Sequence, residues 1–399
     1  MLVPAKPLYN AQIGGAFYLF SYLWDMIDFD TYIRMGEPGG KERAEAWKTA
    51  IGLQAVDGLK TSEYLNETAA KHIEGDITIE QVKELIDTYY QSKTNRTPEE
   101  DEIEEADKAS ANIARILNEP SFTLSVHGLT SIHKRIFTGI FKHAGVIRDY
   151  EITKNEWVLD GDTVSYGYPF ELKDAISHDI QKEREFNYAG LDMSEIVKHI
   201  AQFTADLWQI HPFCEGNTRT TAVFVIKYLR SLGFDVNNST FEKNSWYFRN
   251  ALVRANYQNL QKGIYKESIH LERFFRNLLM GEDNVLMNRY LHVKAKELLD
   301  GDTHTSTHTS THTSTHLSFI PDNDNIKRLV EAIGERQLSV KEMLEAVGLK
   351  NRPNFMEYSL SPAMSEGYVR MLYPDSPRHP RQKYLLTVKG LAAYKEIHF

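Results

Sequence analysis

Two apolar repeats of helical spacing meet at the nine residues His211-Pro212-Phe213-Cys214-Glu215-Gly216-Asn217-Thr218-Arg219. The upstream repeat is Ile196, Ile200, Phe203 and Leu207, and the downstream one runs from Ala222 to Leu229 before Gly233. Apolar residues at this spacing form one face of an α-helix. The sequence therefore predicts a helix, a tight loop and a second helix, with His211 near the end of the first helix.

The loop residues are of the types that bind phosphate and activate a hydroxyl. Gly216, Asn217 and Thr218 would open the second helix, whose first turn presents unpaired backbone N–H groups that hold anions. Arg219 adds a guanidinium that binds phosphate through two hydrogen bonds. Glu215 is a hard oxygen ligand suited to Mg²⁺ beside phosphates, and a neutral His211 can deprotonate a hydroxyl. The set indicates attack of a hydroxyl on a nucleotide phosphate; the alternative is a capped helix with a buried histidine.

The same run resembles the signature of Fic-domain proteins, His-x-Phe-x-(Asp/Glu)-Gly-Asn-Gly-Arg-x-x-Arg. It matches at His211, Phe213, Glu215, Gly216, Asn217 and Arg219. It departs at Thr218, where the family has Gly, and at Ala222, where the family has a second Arg. The Thr218 hydroxyl is expected to substitute in part as a ligand.

The resemblance implies a protein adenylyltransferase that moves AMP from ATP to a Tyr, Ser or Thr hydroxyl of a target protein. It implies His211 as the general base, Glu215 as the Mg²⁺ ligand, and Gly216 and Asn217 as part of a phosphate cradle that Arg219 completes. The Glu215-Gly216 pair favours nucleotidyl transfer over the kinase-like Doc branch of the family. Loss of the second Arg removes the group that normally engages the terminal phosphate of ATP.

Length and composition allow a multidomain protein of ordinary globular type. The chain has 399 residues and a net charge of −9, which argues against a protein that coats nucleic acid. Its single cysteine, Cys214, permits no intrachain disulfide and fits a reducing cytoplasm. The aromatic run from Gly15 to Trp24 is too short to span a bilayer, so no membrane association is expected.

The expected fold is mainly α: a Fic-type helical bundle with a β-hairpin flap, an N-terminal helical region and a small C-terminal α+β unit of winged-helix type. The expected boundaries are 1–108 for the N-terminal region, 109–300 for the catalytic core, 301–322 for a linker and 323–399 for the C-terminal unit.

Two acidic sites in the N-terminal region resemble the inhibitory helix of Fic proteins, Ser/Thr-x-x-x-Glu-Gly/Asn. They are Glu74-Gly75 and Asp57-Gly58, and both lack the Ser/Thr. In the family this glutamate pairs with the second motif Arg, so Ala222 excludes the usual ion pair at either site. Either acid could be inhibitory; the alternative is two helix-ending glycines beside solvated acids. The acidic run from Glu99 to Asp107 is interpreted as a solvated lead into the core.

A hairpin is predicted between Val146 and Tyr168, where β-rich runs flank the turn Asp160-Gly161. In Fic proteins a flap of this kind docks the target segment by strand pairing. The resemblance implies docking residues Arg148, Trp157, Val158 and Tyr166. The alternative is a surface hairpin without a partner.

Past the motif, Phe248 and Asn256 have the spacing of the family's nucleoside-binding aromatic and amide. The alternative for Phe248 is a place in an apolar helix core.

The repeat Thr-His-Thr-Ser from Thr303 to His316 has no apolar residue and is interpreted as a linker. Its evenly spaced histidines would line up on a helix and suggest a metal site, but Ser and Thr are poor helix formers.

Beyond the repeat, helices are predicted at 325–334, 340–347 and 354–366, the last interrupted by Pro362, and strands at 368–373 and 383–387. This order resembles a winged helix-turn-helix, which would bind DNA or serve as a dimerisation or docking piece. Two alternative functions remain: a DNA-binding regulator whose core binds a nucleotide without transferring it, and a transferase that uses another donor, such as UTP, GTP or a nucleotide-linked phosphocholine.

Overall fold

The structure, a computed structural model, describes residues 29–35, 37–93, 96–236, 239–295 and 318–398. As expected, these residues are mainly α-helical, and their one sheet has two antiparallel strands. The aromatic run at 15–24 and the histidine repeat at 303–316 lie outside the described residues. None of the described helices is both long enough and apolar enough to cross a membrane.

The N-terminal region is a group of helices that lead to a short turn beside the motif. They are α1 (Phe29–Met35), α2 (Pro38–Gly52), a 3-10 helix (Leu53–Asp57), α3 (Glu63–Glu74), α4 (Ile79–Gln91) and α5 (Pro98–Asn118). Ser62 caps α3, and Thr78 forms a capping box at the start of α4 with Gln81. These side chains satisfy backbone N–H groups that the first turn of a helix leaves unpaired.

Helix α5 runs unbroken across the boundary expected at residue 108. The acidic run expected to be a solvated lead forms the first half of this helix, where carboxylates favour the positive N-terminal end. Asp107 is fully buried and accepts hydrogen bonds from Ser62 and Tyr90. Helix α5 packs on α2 and on the core, and one apolar cluster includes both Trp47 and Ile113. The N-terminal helices and the helices that flank the motif therefore share one apolar core.

The central bundle holds the motif loop between two helices, as predicted. Its helices are α6 (Val126–Phe137), α7 (Leu172–Glu185), α8 (Met193–Ile210), α9 (Asn217–Ser231), α10 (Ser239–Asn256) and α11 (Ile269–Met280). Helix α8 ends at His211, and α9 begins directly after Gly216.

The predicted flap strands do not form. Residues 146–168 contain no β-strand; a 3-10 helix (Trp157–Leu159) stands where the first strand was expected to end. The Asp160-Gly161 turn is present, with positive φ at both residues and a hydrogen bond from the Asp162 N–H to the Leu159 carbonyl. The strands are lost because Val158 is drawn into the apolar core.

Residues 292–294, which follow α11 in the chain, contact this turn and stabilise it. The Val293 N–H donates to the Val158 carbonyl at 2.9 Å, Lys294 pairs with Asp160, and His292 lies edge-on against Trp157. The backbone of the 3-10 helix is therefore already bonded within the chain.

The C-terminal unit has its own apolar cluster, which contains Ile326, Met343, Phe355 and Leu386. Its elements are α12 (Asp324–Ile333), α13 (Val340–Ala346), α14 (Arg352–Phe355), a π-helical turn (Met356–Leu360), α15 (Ser361–Ser365), β1 (Val369–Met371), β2 (Tyr384–Leu386) and α16 (Val388–His398). The two strands pair with Val369 opposite Leu386.

Pro362 does not interrupt the third helical segment, contrary to expectation. The π-helical turn precedes it, and its wider backbone accommodates a proline that lacks an N–H and crowds the preceding turn. The last helix, α16, was not predicted. Its Val388 and Ala392 join the main apolar cluster, and the Lys389 N–H donates to the Leu232 carbonyl at 3.2 Å. This helix attaches the C-terminal unit to the end of α9.

Candidate active site

His211 ends α8 in a left-handed conformation, with φ 50° and ψ 58°. Its Nδ1 lies 3.3 Å from the Trp208 carbonyl. Because a carbonyl only accepts, Nδ1 carries the proton and Nε2 keeps its lone pair. Nε2 is buried and has no hydrogen-bond partner among the described residues. Burial holds the pKa of His211 well below its usual value, so the imidazole is neutral at pH 7.

Tyr166 covers this imidazole. The two ring centroids are 4.1 Å apart, and the Tyr166 hydroxyl donates to Glu156 Oε1 at 3.2 Å. Glu156 is buried and also accepts two hydrogen bonds from Arg249, at 2.6 and 3.0 Å. A chain of contacts thus runs from His211 through Tyr166 and Glu156 to Arg249.

Asn217 closes the motif loop on itself. Its Oδ1 accepts from the Phe213 N–H at 2.9 Å, and its Nδ2 donates to the Phe213 carbonyl at 2.7 Å. Gly216 has φ 72°, and a Cβ at this position would meet the Phe137 ring at 2.2 Å. Only glycine fits there, for both the backbone angle and the space. Gly216 provides no capping side chain, so the first N–H groups of α9 keep the capacity to bind an anion.

His133 supports the same loop from α6. Its Nδ1 accepts from the Gly145 N–H at 2.7 Å, so Nε2 carries the proton and donates to the Glu215 carbonyl at 3.0 Å. The imidazole stacks on Phe213 with centroids 3.8 Å apart. Burial lowers the pKa of His133 to about 4. The sequence offered no pattern that singles out this histidine.

Glu215 points outward and is half exposed. One carboxylate oxygen lies 3.1 Å from Nζ of Lys154, on the segment that precedes the 3-10 helix. The described residues contain no group of three or more His, Cys, Asp or Glu side chains that could hold a metal ion. A cation at Glu215 would therefore have no more than two such side chains of the described residues as ligands.

Arg219 is buried and contacts three polar side chains. Nε lies 2.8 Å from Asp57 Oδ2, Nη2 donates to Glu105 at 2.6 Å, and Nη1 donates to Gln54 at 3.0 Å. Its guanidinium also lies 4.8 Å from the centre of the Phe137 ring. Of the two candidate inhibitory acids, Asp57 reaches the motif. Glu74 instead accepts a hydrogen bond from Tyr32, next to α3.

A cavity of about 450 Å³ adjoins the motif. Its lining includes Asp57, Glu105, Glu215, Arg219, Trp246 and Arg249. The lining also includes Trp157, which is half exposed. The structure thus brings together the expected metal carboxylate, the expected phosphate guanidinium and one of the two candidate inhibitory acids.

Three residues expected to bind the nucleotide face elsewhere. Phe248 is fully buried among the rings of the apolar core. Asn256 donates to the carbonyls of Ala205 and Leu252 and so joins α10 to α8. The Thr218 hydroxyl accepts from Trp208 Nε1 at 3.0 Å in a buried position. These side chains stabilise helix packing and do not line the cavity.

The cavity wall on α10 is formed by Trp246 and Arg249 instead. These residues are three positions apart and share one face of the helix, whereas Phe248 lies on the opposite, core-facing side. The signal that could have identified them is this spacing of a tryptophan and an arginine beside an otherwise apolar pattern.

Two of the expected target-docking residues are also turned inward. Val158 is fully buried, and the Arg148 guanidinium donates to carbonyls around His211. Tyr166 packs on His211, which leaves Trp157 as the docking candidate with a largely exposed side chain.

The comparisons with known proteins match two parts of the chain. Residues 123–229 match the Fic/DOC family, and residues 324–387 match the family described as filamentation induced by cAMP protein Fic-like, C-terminal domain. A protein adenylyltransferase VbhT from Bartonella schoenbuchensis is 26% identical over 29% of this chain and 23% of its own length. A protein adenylyltransferase from Bartonella henselae is 27% identical over 44% of this chain and 35% of its own.

A probable protein adenylyltransferase Fic from Escherichia coli is 24% identical over 30% of this chain and 56% of its own length. The chain therefore spans between about a quarter and just over half of these relatives.

Among solved structures, a Fic family protein from Desulfovibrio desulfuricans G20 has a TM-score of 0.36 at 17% identity, covering 86% of this chain and 87% of that one. BepC protein with bound AMPPNP from Bartonella tribocorum has a TM-score of 0.37 at 20% identity, covering 46% and 88%. From the matched residues, the chain carries a Fic/DOC family domain at 123–229 and a Fic-like C-terminal domain at 324–387.

Proposed function

We propose that this chain is a protein adenylyltransferase that moves AMP from ATP to a hydroxyl side chain of a target protein. The observation that carries the proposal is the state of His211: a neutral imidazole with an unpartnered Nε2, in a loop followed by an uncapped helix N-terminus. The relatives named protein adenylyltransferase support the same reaction class.

In the proposed reaction the target hydroxyl oxygen attacks the α-phosphorus of ATP. A new P–O bond forms, the α–β phosphoanhydride bond breaks, and pyrophosphate leaves with the electron pair. The hydroxyl proton passes to Nε2 of His211. A lowered pKa keeps this nitrogen unprotonated and ready to accept the proton at neutral pH.

Glu215 is the residue that would hold Mg²⁺. Mg²⁺ commonly binds one or two protein carboxylates together with substrate phosphates and water, and a half-exposed carboxylate at the cavity edge fits that pattern. The ion would neutralise charge on the phosphates. Lys154 must release Glu215 when the ion binds, because the carboxylate oxygen now faces the ammonium.

We further propose that Asp57 restrains the enzyme by occupying Arg219. The Arg219 guanidinium forms ion pairs with Asp57 and Glu105 and donates a hydrogen bond to Gln54, so these side chains compete with a donor phosphate for it. In the family pattern an acid of this region pairs with the second motif Arg. Here Ala222 provides no guanidinium, and Asp57 pairs with the first.

The target segment is proposed to dock along residues 149–155. In this extended and mainly exposed stretch, no backbone N–H donates to another backbone carbonyl within the described residues. Such an edge can pair with an extended peptide. The Lys154–Glu215 contact places the edge beside the motif. The adjacent 3-10 helix is unsuitable, since the Val158 carbonyl is already bonded to Val293.

The test is incubation of the purified protein with α-³²P-ATP, Mg²⁺ and host lysate, followed by detection of labelled protein. His211→Ala should abolish the label, and His127→Ala, which changes an exposed histidine on α6, should leave it unchanged. Asp57→Ala should increase it. If ATP gives no label, α-labelled UTP, GTP and CTP test the other donors. Absence of label from all four nucleotides would overturn the proposal.

One observation favours a second function, binding of DNA by the C-terminal unit. Residues 323–399 contain twelve Lys and Arg against nine Asp and Glu, although the whole chain has a net charge of −9. Arg352 and Arg378 are exposed, on the third helical segment and on the loop between the strands. A basic face on a helix and wing matches duplex DNA. Retardation of labelled duplexes that is lost in Arg352→Ala would support this; no retardation at low salt would exclude it.

A further inference from the structure

Arg148 makes an unusual set of contacts behind the catalytic loop. Its Nε donates to the His211 carbonyl at 2.8 Å, Nη1 to the Tyr150 carbonyl at 2.5 Å and Nη2 to the Gly167 carbonyl at 2.7 Å. Its backbone N–H donates to the Pro212 carbonyl at 2.9 Å. Arg148 thus joins the backbone at Tyr150 and at Gly167 to the motif loop.

All of these acceptors are backbone carbonyls. Arg148 is 4% exposed, and no carboxylate in the described part of the chain forms an ion pair with it. A buried guanidinium without a counter-charge is unfavourable unless its N–H groups are satisfied. Each of the three guanidinium nitrogens donates to one of these carbonyls, in the fixed geometry of the planar group. Burying a guanidinium without a carboxylate partner costs free energy, and a residue with only a packing role would not require it.

The backbone that Arg148 holds is strained. His211 and Asp160 are the non-glycine residues with positive φ in the described ranges. A left-handed conformation at a residue with a side chain persists only where its surroundings enforce it. The bonds to the carbonyls of His211 and Pro212 act directly on this peptide. They fix the turn that carries the imidazole out of α8 and into the loop.

We propose that Arg148 is a positioning residue for the proposed adenylyl transfer: it holds the His211–Pro212 backbone so that Nε2 meets the target hydroxyl. The inference rests on the proposed function. It replaces the expected role of Arg148 in target docking with an internal one. Since Gly167 is also held, Arg148 places Tyr166 as well, and the base and the ring that covers it share one anchor.

Arg148 also contributes to the charge around the base. The charged groups that act on His211 are the cations Lys154, Arg249 and Arg148, and each adds to the effect of burial in lowering the pKa of His211. Tyr166 and Trp208 face the imidazole as neutral rings. Removal of Arg148 should therefore loosen the turn, admit water and raise the pKa of His211.

The experiment compares Arg148→Gln and Arg148→Lys with the wild type in the full chain. A matched control is Arg184→Gln, which removes an exposed guanidinium that donates to the Leu124 carbonyl. The first readout is the rate of label transfer from α-³²P-ATP together with the affinity for ATP. The second is the pH titration of His211 followed by NMR in protein with ¹³C-labelled histidine, assigned with a His211→Asn variant.

We expect transfer by Arg148→Gln to fall about 100-fold, the size of effect that a misplacement of about 1 Å produces. The affinity for ATP should change less than about 3-fold, because Arg148 does not line the cavity. Arg148→Lys should recover part of the rate, since it keeps the charge but loses the fork. The pKa of His211 should be higher in Arg148→Gln than in the wild type, because burial is reduced and one neighbouring cation is removed.

The proposal is overturned if folded Arg148→Gln transfers label within about 3-fold of the wild-type rate, the range of an ordinary surface change. If Arg148→Gln does not fold, Arg148→Lys decides by the same two readouts. If the wild type transfers no label, the proposed function fails and the NMR titration still tests the positioning role. An unchanged His211 titration in the variant then counts against it.

Discussion

His133 provides a quantitative test of how the motif loop is held. It is fully buried, and burial lowers the pKa of its imidazole to about 4, against 6.5 in an ordinary environment. Because the folded pKa is depressed, the unfolded chain takes up the proton first as pH falls. The stability that depends on neutral His133 is present above about pH 6.5 and is lost progressively towards pH 4.

The magnitude follows from the two pKa values. At pH 5 the unfolded imidazole is almost fully protonated and the folded one is about one-tenth protonated, which costs about 2 kcal/mol of unfolding free energy. At pH 7 the same term is about 0.2 kcal/mol. His133 should thus account for a loss of about 2 kcal/mol between pH 7 and pH 5.

The change to make is His133→Gln, with His127→Gln on the same helix as the exposed control. At pH 7 we expect His133→Gln to lower the free energy of unfolding by about 2–3 kcal/mol, because an amide cannot reproduce both hydrogen bonds and the stack on Phe213. Between pH 7 and pH 5 the variant should lose about 2 kcal/mol less than the wild type. His72, whose pKa is also lowered to about 4, contributes equally to both proteins.

The measurement is urea unfolding followed by tryptophan fluorescence at the two pH values. The wild type and His127→Gln should show the same pH dependence. An equal loss of stability in His133→Gln and in the wild type would refute the assignment, because the buried imidazole would then not be the group that titrates.

Three further changes test the loop and the cavity. Gly216→Ala should lower the free energy of unfolding by about 2–4 kcal/mol, since the new Cβ would lie 2.2 Å from the Phe137 ring at a positive φ; thermal unfolding checks this, and a normal melting temperature would contradict it. Trp246→Ala should weaken nucleotide binding about 10-fold by loss of ring contact at the cavity wall. Calorimetry measures the affinity, and an unchanged value would show that the nucleobase does not contact Trp246. Thr218→Val should cost about 1–3 kcal/mol of stability by leaving Trp208 Nε1 without an acceptor, with nucleotide affinity unchanged; weaker binding without destabilisation would restore Thr218 as a ligand.

The helices around the motif followed from local pattern. The apolar spacing upstream of His211 predicted α8, and the apolar spacing from Ala222 to Leu229 predicted α9. Such signals depend on neighbours a few residues away in the chain, so a single sequence contains them. The Asp160-Gly161 turn belongs to the same class, because both residues tolerate positive φ.

Contacts between distant segments could not be read from the sequence. Arg219 and Asp57 are far apart in the chain, and no local pattern distinguishes Asp57 from Glu74 as the inhibitory acid. The 3-10 helix after α2 places Asp57 beside the motif. The expected strands of the flap do not form for a related reason. Burial of Val158 in the apolar core stabilises the fold more than strand pairing at a half-exposed position would.

The rotation of α10 about its axis determines which of its side chains line the cavity. Phe248 fits the family's spacing, but one side of α10 faces the aromatic core and the other faces the motif. A shift of one or two residues along a helix turns a side chain by 100° or 200°. Sequence spacing alone could not tell Phe248 from Trp246, because both are aromatic and lie within one turn.

The joint between α9 and the C-terminal unit includes two glycines in contact. Gly233 and Gly367 both have positive φ, and a Cβ on either would come within about 2.4 Å of the carbonyl oxygen of the other. At this contact the two backbones meet directly, so a residue with a Cβ at either position would push the neighbouring backbone away. A C-terminal unit grafted from another protein would seat here only if it also brought a glycine at the position of Gly367. The backbone just after α9 and the C-terminal unit are therefore expected to vary together in evolution rather than to be exchanged freely.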